Sequence, residues 1–215
     1  MLRRSVPSHV GIVAVSKTQT VESIREAYDA GQRIFGENKA LELADKQARL
    51  PQDIEWHFIG HLQTNKVKYL APFIGLIHSI DSFGLMKEIN KEAQKNNRII
   101  DCLLQFHIAK EETKFGLSAD QAVEILESET FQELRHVRIT GVMGMASFSD
   151  DPSLVRSEFR MLHNLFDHLK LNYFKDNASF KTISMGMSGD YQLAIEEGST
   201  MIRIGTSVFG SRTYP

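Results

Sequence analysis

Short apolar runs alternate along the chain with longer segments in which apolar residues recur every three to four positions. The first pattern is typical of buried strands and the second of amphipathic helices. Eight apolar runs are visible: Gly11–Lys17, Arg33–Asn38, Trp56–Gly60, Gly75–Ile80, Ile99–Ile108, Val137–Ala146, Thr182–Gly186 and Met201–Gly210. Seven helical segments separate them: Val21–Ala30, Lys39–Arg49, Thr64–Leu70, Phe83–Asn96, Ser118–Glu127, Pro152–Leu171 and Asp190–Glu197.

This alternation predicts an α/β protein with a parallel sheet covered by helices. Eight strands with no composition shift or linker favour a single-domain TIM-type (β/α)8 barrel over residues 1–215, rather than a doubly wound open sheet. Seven helices leave one seam of the barrel to Met1–Val10, a segment too short for a long helix. We therefore expect a shortened N-terminal helix and a partly exposed seam.

Composition narrows the class of protein. Of the 215 residues, 42% are hydrophobic, and 25 basic against 27 acidic side chains give a net charge of −2. The cationic surface typical of nucleic-acid binding is missing. Cys102 is the single cysteine, so an intramolecular disulfide and a multi-cysteine metal site are excluded. No apolar run has the length of a membrane span or signal peptide, and we expect a cytoplasmic protein without membrane or nucleic-acid partners.

In a barrel of this type, reactive groups collect at the C-terminal ends of the strands. Lys17 ends an apolar run there, and an apolar environment favours the free amine that reacts with aldehydes. Lys17 is therefore a candidate Schiff-base nucleophile, although a strand-terminal lysine that reaches solvent is the alternative.

Two late segments suggest a phosphate site. Residues 184–190 (Ser-Met-Gly-Met-Ser-Gly-Asp) leave the seventh strand and enter a helix, and residues 203–207 (Arg-Ile-Gly-Thr-Ser) lie in the eighth. Barrels bind phosphate at these positions, where glycines allow close approach and the hydroxyls of Ser188 and Thr206 can donate hydrogen bonds. Ordinary turns are the alternative reading of such loops. Together with Lys17, the loops describe a ligand with an aldehyde at one end and a phosphate at the other.

Other polar residues near strand ends favour structural roles. The carboxylates of Glu37 and Asp81 are expected to pair with Lys66 or with arginines. His57 and His61 lack the cysteine or carboxylate that would complete a metal site, so packing or capping is expected for them.

A set of motifs, spread in a fixed order over nearly the whole chain, resembles those of the pyridoxal 5′-phosphate (PLP) homeostasis proteins, which are barrels related to the cofactor-binding domain of alanine racemase. The motifs are Val13-Ala14-Val15-Ser16-Lys17-Thr18, Phe35-Gly36-Glu37-Asn38, Trp56 to Lys66, Ile77-His78-Ser79-Ile80-Asp81, Glu112-Thr113-Lys114-Phe115-Gly116, Gly144-Met145-Ala146, Ser184 to Ser188 and Arg203-Ile204-Gly205.

The resemblance implies the role of each site residue. Lys17 would hold PLP as an internal aldimine, Arg203 would face the pyridine nitrogen, and Asn38 would lie near the cofactor. Ser188, Gly205 and Thr206 would contact the phosphate. Because arginine keeps its proton, Arg203 would leave the pyridine nitrogen unprotonated and the ring a poor electron sink.

The resemblance favours a monomeric carrier that holds and supplies PLP, with apo PLP-dependent enzymes as possible recipients and without strong turnover. In racemases of the related fold, a second base comes from an additional domain, for which this sequence has no residues. A weak PLP-dependent racemase or lyase is the enzyme alternative. A cofactor-free barrel that uses Lys17 for aldolase-like chemistry on a sugar phosphate is a third, more remote one.

Overall fold

Eight parallel strands close into a barrel in which each strand pairs with its neighbours in sequence order, and β8 pairs with β1. The computed structural model describes residues 6–110 and 115–210. The strands are β1 (Gly11–Val15), β2 (Ile34–Glu37), β3 (Glu55–Phe58), β4 (Leu76–Ile80), β5 (Ile100–Phe106), β6 (Val137–Gly144), β7 (Thr182–Ser184) and β8 (Met201–Ile204). The predicted TIM-type barrel is confirmed.

Helices follow the strands and cover the outside of the barrel. They are α1 (Val21–Asp29), α2 (Ala40–Arg49), a 3-10 turn (Thr64–Lys66) that continues into α3 (Val67–Leu70), α4 (Phe83–Lys95), α5 (Ala119–Glu127), α6 (Glu129–Gln132), α7 (Pro152–Asn172), α8 (Tyr191–Glu196) and α9 (Thr206–Phe209). The predicted capping box at the start of α5 is present, with Ser118 and Gln121 bonded reciprocally.

Apolar side chains form two distinct layers. Outward-facing strand residues such as Phe35, Trp56 and Phe58 are fully buried against the helices. Inside the barrel, Leu76, Leu103 and Met143 form a smaller cluster, which we call the apolar plug. Side chains alternate between the two layers because successive strand residues point to opposite faces.

The last predicted strand is wrong over its second half. The apolar pattern from Met201 to Gly210 indicated one strand, but β8 ends at Ile204 and residues 206–209 form α9. Val208 and Phe209 pack against the core from this helix, so their apolar character reflects burial on a helix and not on a strand. The short helix α6 was not predicted either, because four residues are too few to show a helical period.

Val6 and Val10 cover part of the barrel seam. Both are buried against Ile202 and Ile204 on the outer face of β8. Residues 6–10 form turns and no helix, while residues 1–5 of the expected shortened helix lie outside the described residues, as do 111–114 of one family motif. A cavity of about 420 Å³ remains beside Val10 and Gly11, in agreement with the expected exposure of this seam. Among the described helices, none has the length and apolar character needed to cross a membrane.

Candidate functional site

A buried ion pair holds the end of β1, where Lys17 follows. The hydroxyl of Ser16 donates to Glu37 Oε1 at 2.7 Å, and Lys46 Nζ lies 2.7 Å from the same oxygen. Lys46 also donates to the backbone oxygen of Ser16 at 2.9 Å and contacts Glu42 at 2.7 Å. Ser16 therefore faces the helix layer, and strand alternation directs the next side chain, that of Lys17, to the barrel side.

The chain turns sharply directly after Lys17. Thr18 has φ of +67°, a backbone conformation that costs energy for a β-branched residue. The Thr18 N–H donates to Glu42 Oε1 at 3.1 Å, and the Gln19 N–H donates to the Ser16 oxygen at 3.0 Å. These bonds keep the strained turn in place and leave Lys17 half-buried at the rim.

The predicted partner of Glu37 was wrong. Lys46 from α2 pairs with it, rather than Lys66 or an arginine. Burial raises the pKa of Glu37, and the bonds from Lys46 and Ser16 offset part of that effect. Asp81 likewise bonds a histidine, His61, whose Nδ1 lies 2.8 Å from its carboxylate.

Arg203 lies inside the barrel on β8, opposite Val13 of β1. Its Nη1 donates to the backbone oxygen and the hydroxyl of Ser184, at 2.9 and 2.6 Å, and its Nη2 donates to the Gly144 oxygen at 3.0 Å. These bonds use three of five N–H donors. Within residues 6–110 and 115–210, no protein acceptor meets Nε.

Arg203 keeps its positive charge despite its burial. The side chain is almost fully buried, which lowers its pKa from 12.5 to about 10, while the charge of Asp190 acts in the opposite direction. At neutral pH the guanidinium is therefore protonated. A buried cation with N–H donors to spare fits a ligand atom that accepts a hydrogen bond, such as a pyridine nitrogen.

The loop after β7 forms a closed turn with Ser188 at its tip. The Met187 oxygen accepts the N–H groups of Asp190 and Tyr191 at 3.1 and 2.9 Å, and the Met187 N–H donates to Asp190 Oδ1 at 2.5 Å. Gly186 has φ of +96°, and a side chain there would collide with Ala194 of α8. Ser188 is half-buried.

Gly205 and Thr206 begin α9 beside the end of β1. The Gly205 oxygen accepts the N–H groups of Val208 and Phe209, which are the first hydrogen bonds within α9. The N–H of Thr206 lies before them and is not used by the helix itself. A Cβ at Gly205 would lie 3.4 Å from the oxygen of Val15, two residues before Lys17. The ends of β1 and β8 thus bring Lys17 and the Gly205–Thr206 segment to the same part of the rim.

Asn38 lies further round the rim, at the end of β2. Its Cβ would be only 2.7 Å from a Cβ placed on Gly60, so the absence of a side chain at Gly60 makes room for it. Asn38 also lines a cavity of about 390 Å³ together with Phe58, Leu62 and Lys66. Five of the six predicted site residues follow strands and Arg203 lies within β8; Asn38, after β2, is the one outside the β7–β8–β1 group.

Sequence reasoning missed the contacts that Lys46, His78 and Ser184 make in this region. Lys46 lies on an amphipathic helix, where solvent-exposed lysines are common, so the sequence did not distinguish it from a surface residue. His78 stood out only as part of a family motif. A histidine at the centre of a largely apolar strand was nevertheless a signal that the barrel interior is polar. It is fully buried, and its Nδ1 lies 3.0 Å from the Ser184 hydroxyl.

The chain matches known proteins over nearly its whole length. The family model described as "Alanine racemase, N-terminal domain" matches residues 1–213. A pyridoxal phosphate homeostasis protein of Aquifex aeolicus (strain VF5) is 44% identical over 204 residues, which is 94% of this chain and 87% of that relative. The chain belongs to the pyridoxal phosphate homeostasis protein family. The family resemblance seen in the sequence is thereby confirmed.

Solved structures agree with this family. PipY of Synechococcus elongatus, solved without and with PLP bound, is 34% identical and covers 97% of this chain and 96% of its own. The TM-scores are 0.90 and 0.87 respectively. An alanine racemase of Clostridium difficile 630 has a TM-score of 0.74 at 11% identity and is covered over 54% of its length, which shows a shared fold.

Proposed function

We propose that this chain binds PLP in the cytoplasm and holds it in reserve, with Lys17 as the covalent anchor. The Lys17 amine condenses with the cofactor aldehyde to a Schiff base and releases water. Arg203 faces the ring nitrogen, Asn38 lies beside the ring, and Ser188, Gly205 and Thr206 bind the phosphate. PLP bound to PipY supports the choice of ligand.

One observation carries this proposal: the β8–β1 register. Arg203 is opposite Val13, and Gly205 lies against Val15. One edge of the barrel therefore offers a buried cation in its interior, a lysine at its rim and helix-start N–H groups beside that lysine. This order matches a ligand with a basic ring, an aldehyde and a phosphate.

The charge of Arg203 favours storage over catalysis. With a pKa of about 10, the guanidinium keeps its proton. It donates a hydrogen bond to the ring nitrogen and leaves that nitrogen unprotonated. An unprotonated pyridine withdraws fewer electrons than the pyridinium that acidic partners stabilise in many PLP enzymes. Carbanion chemistry on a bound amino acid would therefore be poorly supported.

The visible spectrum and the intact mass of the purified protein test the anchor. We expect an imine band after PLP is added, and borohydride should fix one pyridoxyl phosphate group to the protein. Lys17→Ala should lose both. Lys39→Ala is the matched control, because Lys39 also follows a strand at this rim and should leave both unchanged. A band that survives in Lys17→Ala would remove Lys17 from its role.

The shared fold supports a second candidate, a weak amino-acid racemase or lyase. Similarity to the racemase of Clostridium difficile covers only 54% of that enzyme, so the fold supports PLP binding more directly than racemisation. Incubation of holo-protein with single-enantiomer alanine discriminates the two. Steady loss of optical rotation at ordinary enzymatic rates would overturn the storage proposal.

Supply to other enzymes and the monomeric state are further parts of the proposal. Holo-protein mixed with an apo PLP-dependent enzyme should restore its activity, and equal total PLP without the protein is the control. Light scattering during gel filtration should give the 24.4 kDa mass of one chain. Failure to reactivate the apo-enzyme would contradict the supply of PLP, and the mass of a dimer would contradict the monomeric state.

A further inference from the structure

A continuous chain of hydrogen bonds crosses the barrel interior from Arg203 to its opposite end. Arg203 Nη1 lies 2.6 Å from Ser184 Oγ, and Ser184 Oγ lies 3.0 Å from His78 Nδ1. His78 Nε2 lies 3.0 Å from His57 Nδ1, and His57 Nε2 lies 2.9 Å from Glu55 Oε1. We call these five side chains the interior relay.

The hydrogen bonds of the interior relay run in one direction. Arginine only donates and an ionised carboxylate only accepts, so with both histidines neutral the Ser184 hydroxyl accepts from Arg203 and donates a hydrogen bond to His78 Nδ1. His78 then carries its proton on Nε2 and donates to His57 Nδ1. His57 in turn carries its proton on Nε2 and donates to the Glu55 carboxylate. A cation therefore stands at one end of a line of neutral donors and an anion at the other.

The surroundings of the relay strengthen this polarisation. His57, His78 and Ser184 have no exposed surface, and the apolar plug fills the adjacent interior. Hydrogen bonds in such a low-dielectric interior are stronger than in water, and bonds in a chain polarise each other. Burial, together with the charge of Arg203, lowers the pKa of His78 well below 6.5, so its ring is neutral at neutral pH.

The Glu55 end meets solvent at the N-terminal mouth of the barrel. Glu55 and His57 line a cavity of about 370 Å³ there, and the Glu55 side chain is 54% exposed. The other charged groups of this cavity are Lys181 and the pair formed by Asp101 and Arg138. The charge at this mouth can therefore change with pH or with a bound ion, while His57, His78 and Ser184 have no exposed surface.

We propose that Glu55, His57, His78 and Ser184 are positioning residues that transmit the charge at the N-terminal mouth to Arg203, and so to PLP at the opposite mouth. The inference rests on the proposed function for its final step. With Glu55 ionised, each acceptor along the relay is more negative, and Arg203 is held more firmly toward Ser184. Loss of that charge loosens the guanidinium and weakens the hold on the cofactor ring.

Histidine NMR tests the relay without any cofactor. In cofactor-free protein labelled with ¹⁵N-histidine, the ring shifts of His57 and His78 should show a proton on Nε2 and none on Nδ1. The opposite tautomer at His78, or a charged ring at neutral pH, would overturn the directed relay. This result is independent of PLP, so it separates failure of the relay from failure of the proposed function.

Cofactor affinity tests the transmission. Glu55→Gln keeps an acceptor for His57 but removes the charge, and we expect a rise in the Kd for PLP of about threefold and a shifted pH profile of the visible band. Asp101→Asn is the matched control, since it removes a charge from the same cavity outside the relay, and both readouts should stay unchanged. Equal effects of the two variants would show that any charge in this cavity acts on PLP binding, which would overturn transmission through the relay.

A double-mutant cycle decides whether the effect travels through Ser184. Ser184→Ala removes the hydroxyl but leaves the backbone oxygen that Arg203 also contacts, and should raise the Kd for PLP by about tenfold. In that background, Glu55→Gln should have no further effect on Kd or on the pH profile. A threefold change that persists in Ser184→Ala would refute the relay.

Discussion

Replacing Lys46 by Met should destabilise the protein in a way that depends on pH. Lys46 is 6% exposed and lies 2.7 Å from Glu37, whose side chain is fully buried and whose Oε2 has no hydrogen-bond partner among the described residues. Methionine has a similar length but no charge. The variant leaves the Glu37 carboxylate buried beside the Ser16 hydroxyl alone.

The magnitude follows from the two states open to Glu37. A carboxylate that stays ionised without its cation costs about 3–5 kcal/mol. The alternative is to take up a proton, which costs about 1.36 kcal/mol for each pH unit above the ordinary pKa of 4.5. Protonation therefore limits the loss to about 3.4 kcal/mol at pH 7 and about 1.4 kcal/mol at pH 5.5, apart from the lost hydrogen bonds.

The sign agrees with the pKa shift of Glu37 in the intact protein. Burial raises its pKa, so the folded state binds this proton more readily than the unfolded state does. The stability from that proton is present below about pH 4.5 and is lost as the pH rises through the folded pKa. Removal of Lys46 raises the folded pKa further, so the variant loses more stability at high pH.

Urea unfolding followed by the fluorescence of Trp56, the single tryptophan, provides the assay. Lys46→Met should lose stability more strongly at pH 7 than at pH 5.5, and a second change, Glu37→Gln, should recover most of the loss at pH 7. Lys91→Met is the control, because the Lys91 pair with Glu88 is exposed and should contribute less than about 1 kcal/mol. A loss independent of pH, or a double variant no more stable than Lys46→Met, would refute the reasoning.

Three further predictions concern stability and reactivity. Gly141→Ala should cost at least about 2 kcal/mol in thermal unfolding, because φ is +156° and a Cβ would overlap the Thr182 oxygen. Gly84→Ala, with open space in α4, should be neutral or stabilising, and equal losses would contradict this. Burial raises the pKa of the Cys102 thiol, so an aromatic disulfide reagent should label it only after urea unfolding; rapid native labelling would contradict this. Because the pKa of His78 lies well below 6.5 in the folded state, the unfolded state binds more protons below that pH. Unfolding free energy should therefore fall by about 1.4 kcal/mol per pH unit below about 6.5, with a flatter slope in His78→Gln.

Much of the architecture was readable from local pattern. Seven of the eight strands lie within their predicted runs, because a parallel strand buried on both faces gives a continuous apolar stretch. The exception is β3, which begins at Glu55, one residue before its run, because a charged residue does not continue an apolar pattern. Predicted strand ends extended too far at the rim; β7 ends at Ser184 and not at Gly186, for example. Residues there, such as Met185 and Ala146, remain buried in the main core beyond the end of the strand, and hydropathy alone does not separate this from pairing in the sheet.

The sequence by itself determined the barrel, the family and the position of Lys17 after the first strand, since periodicity and motifs are properties of neighbouring residues. Only the tertiary structure decided which side chains meet. Glu37 finds Lys46 on the following helix, and His78 meets Ser184 across 106 positions of the chain. The first pair depends on how α2 packs against the outside of β2. The second depends on strand register and on closure of the barrel, which place inward-facing residues of distant strands at the same height. No local pattern encodes that height.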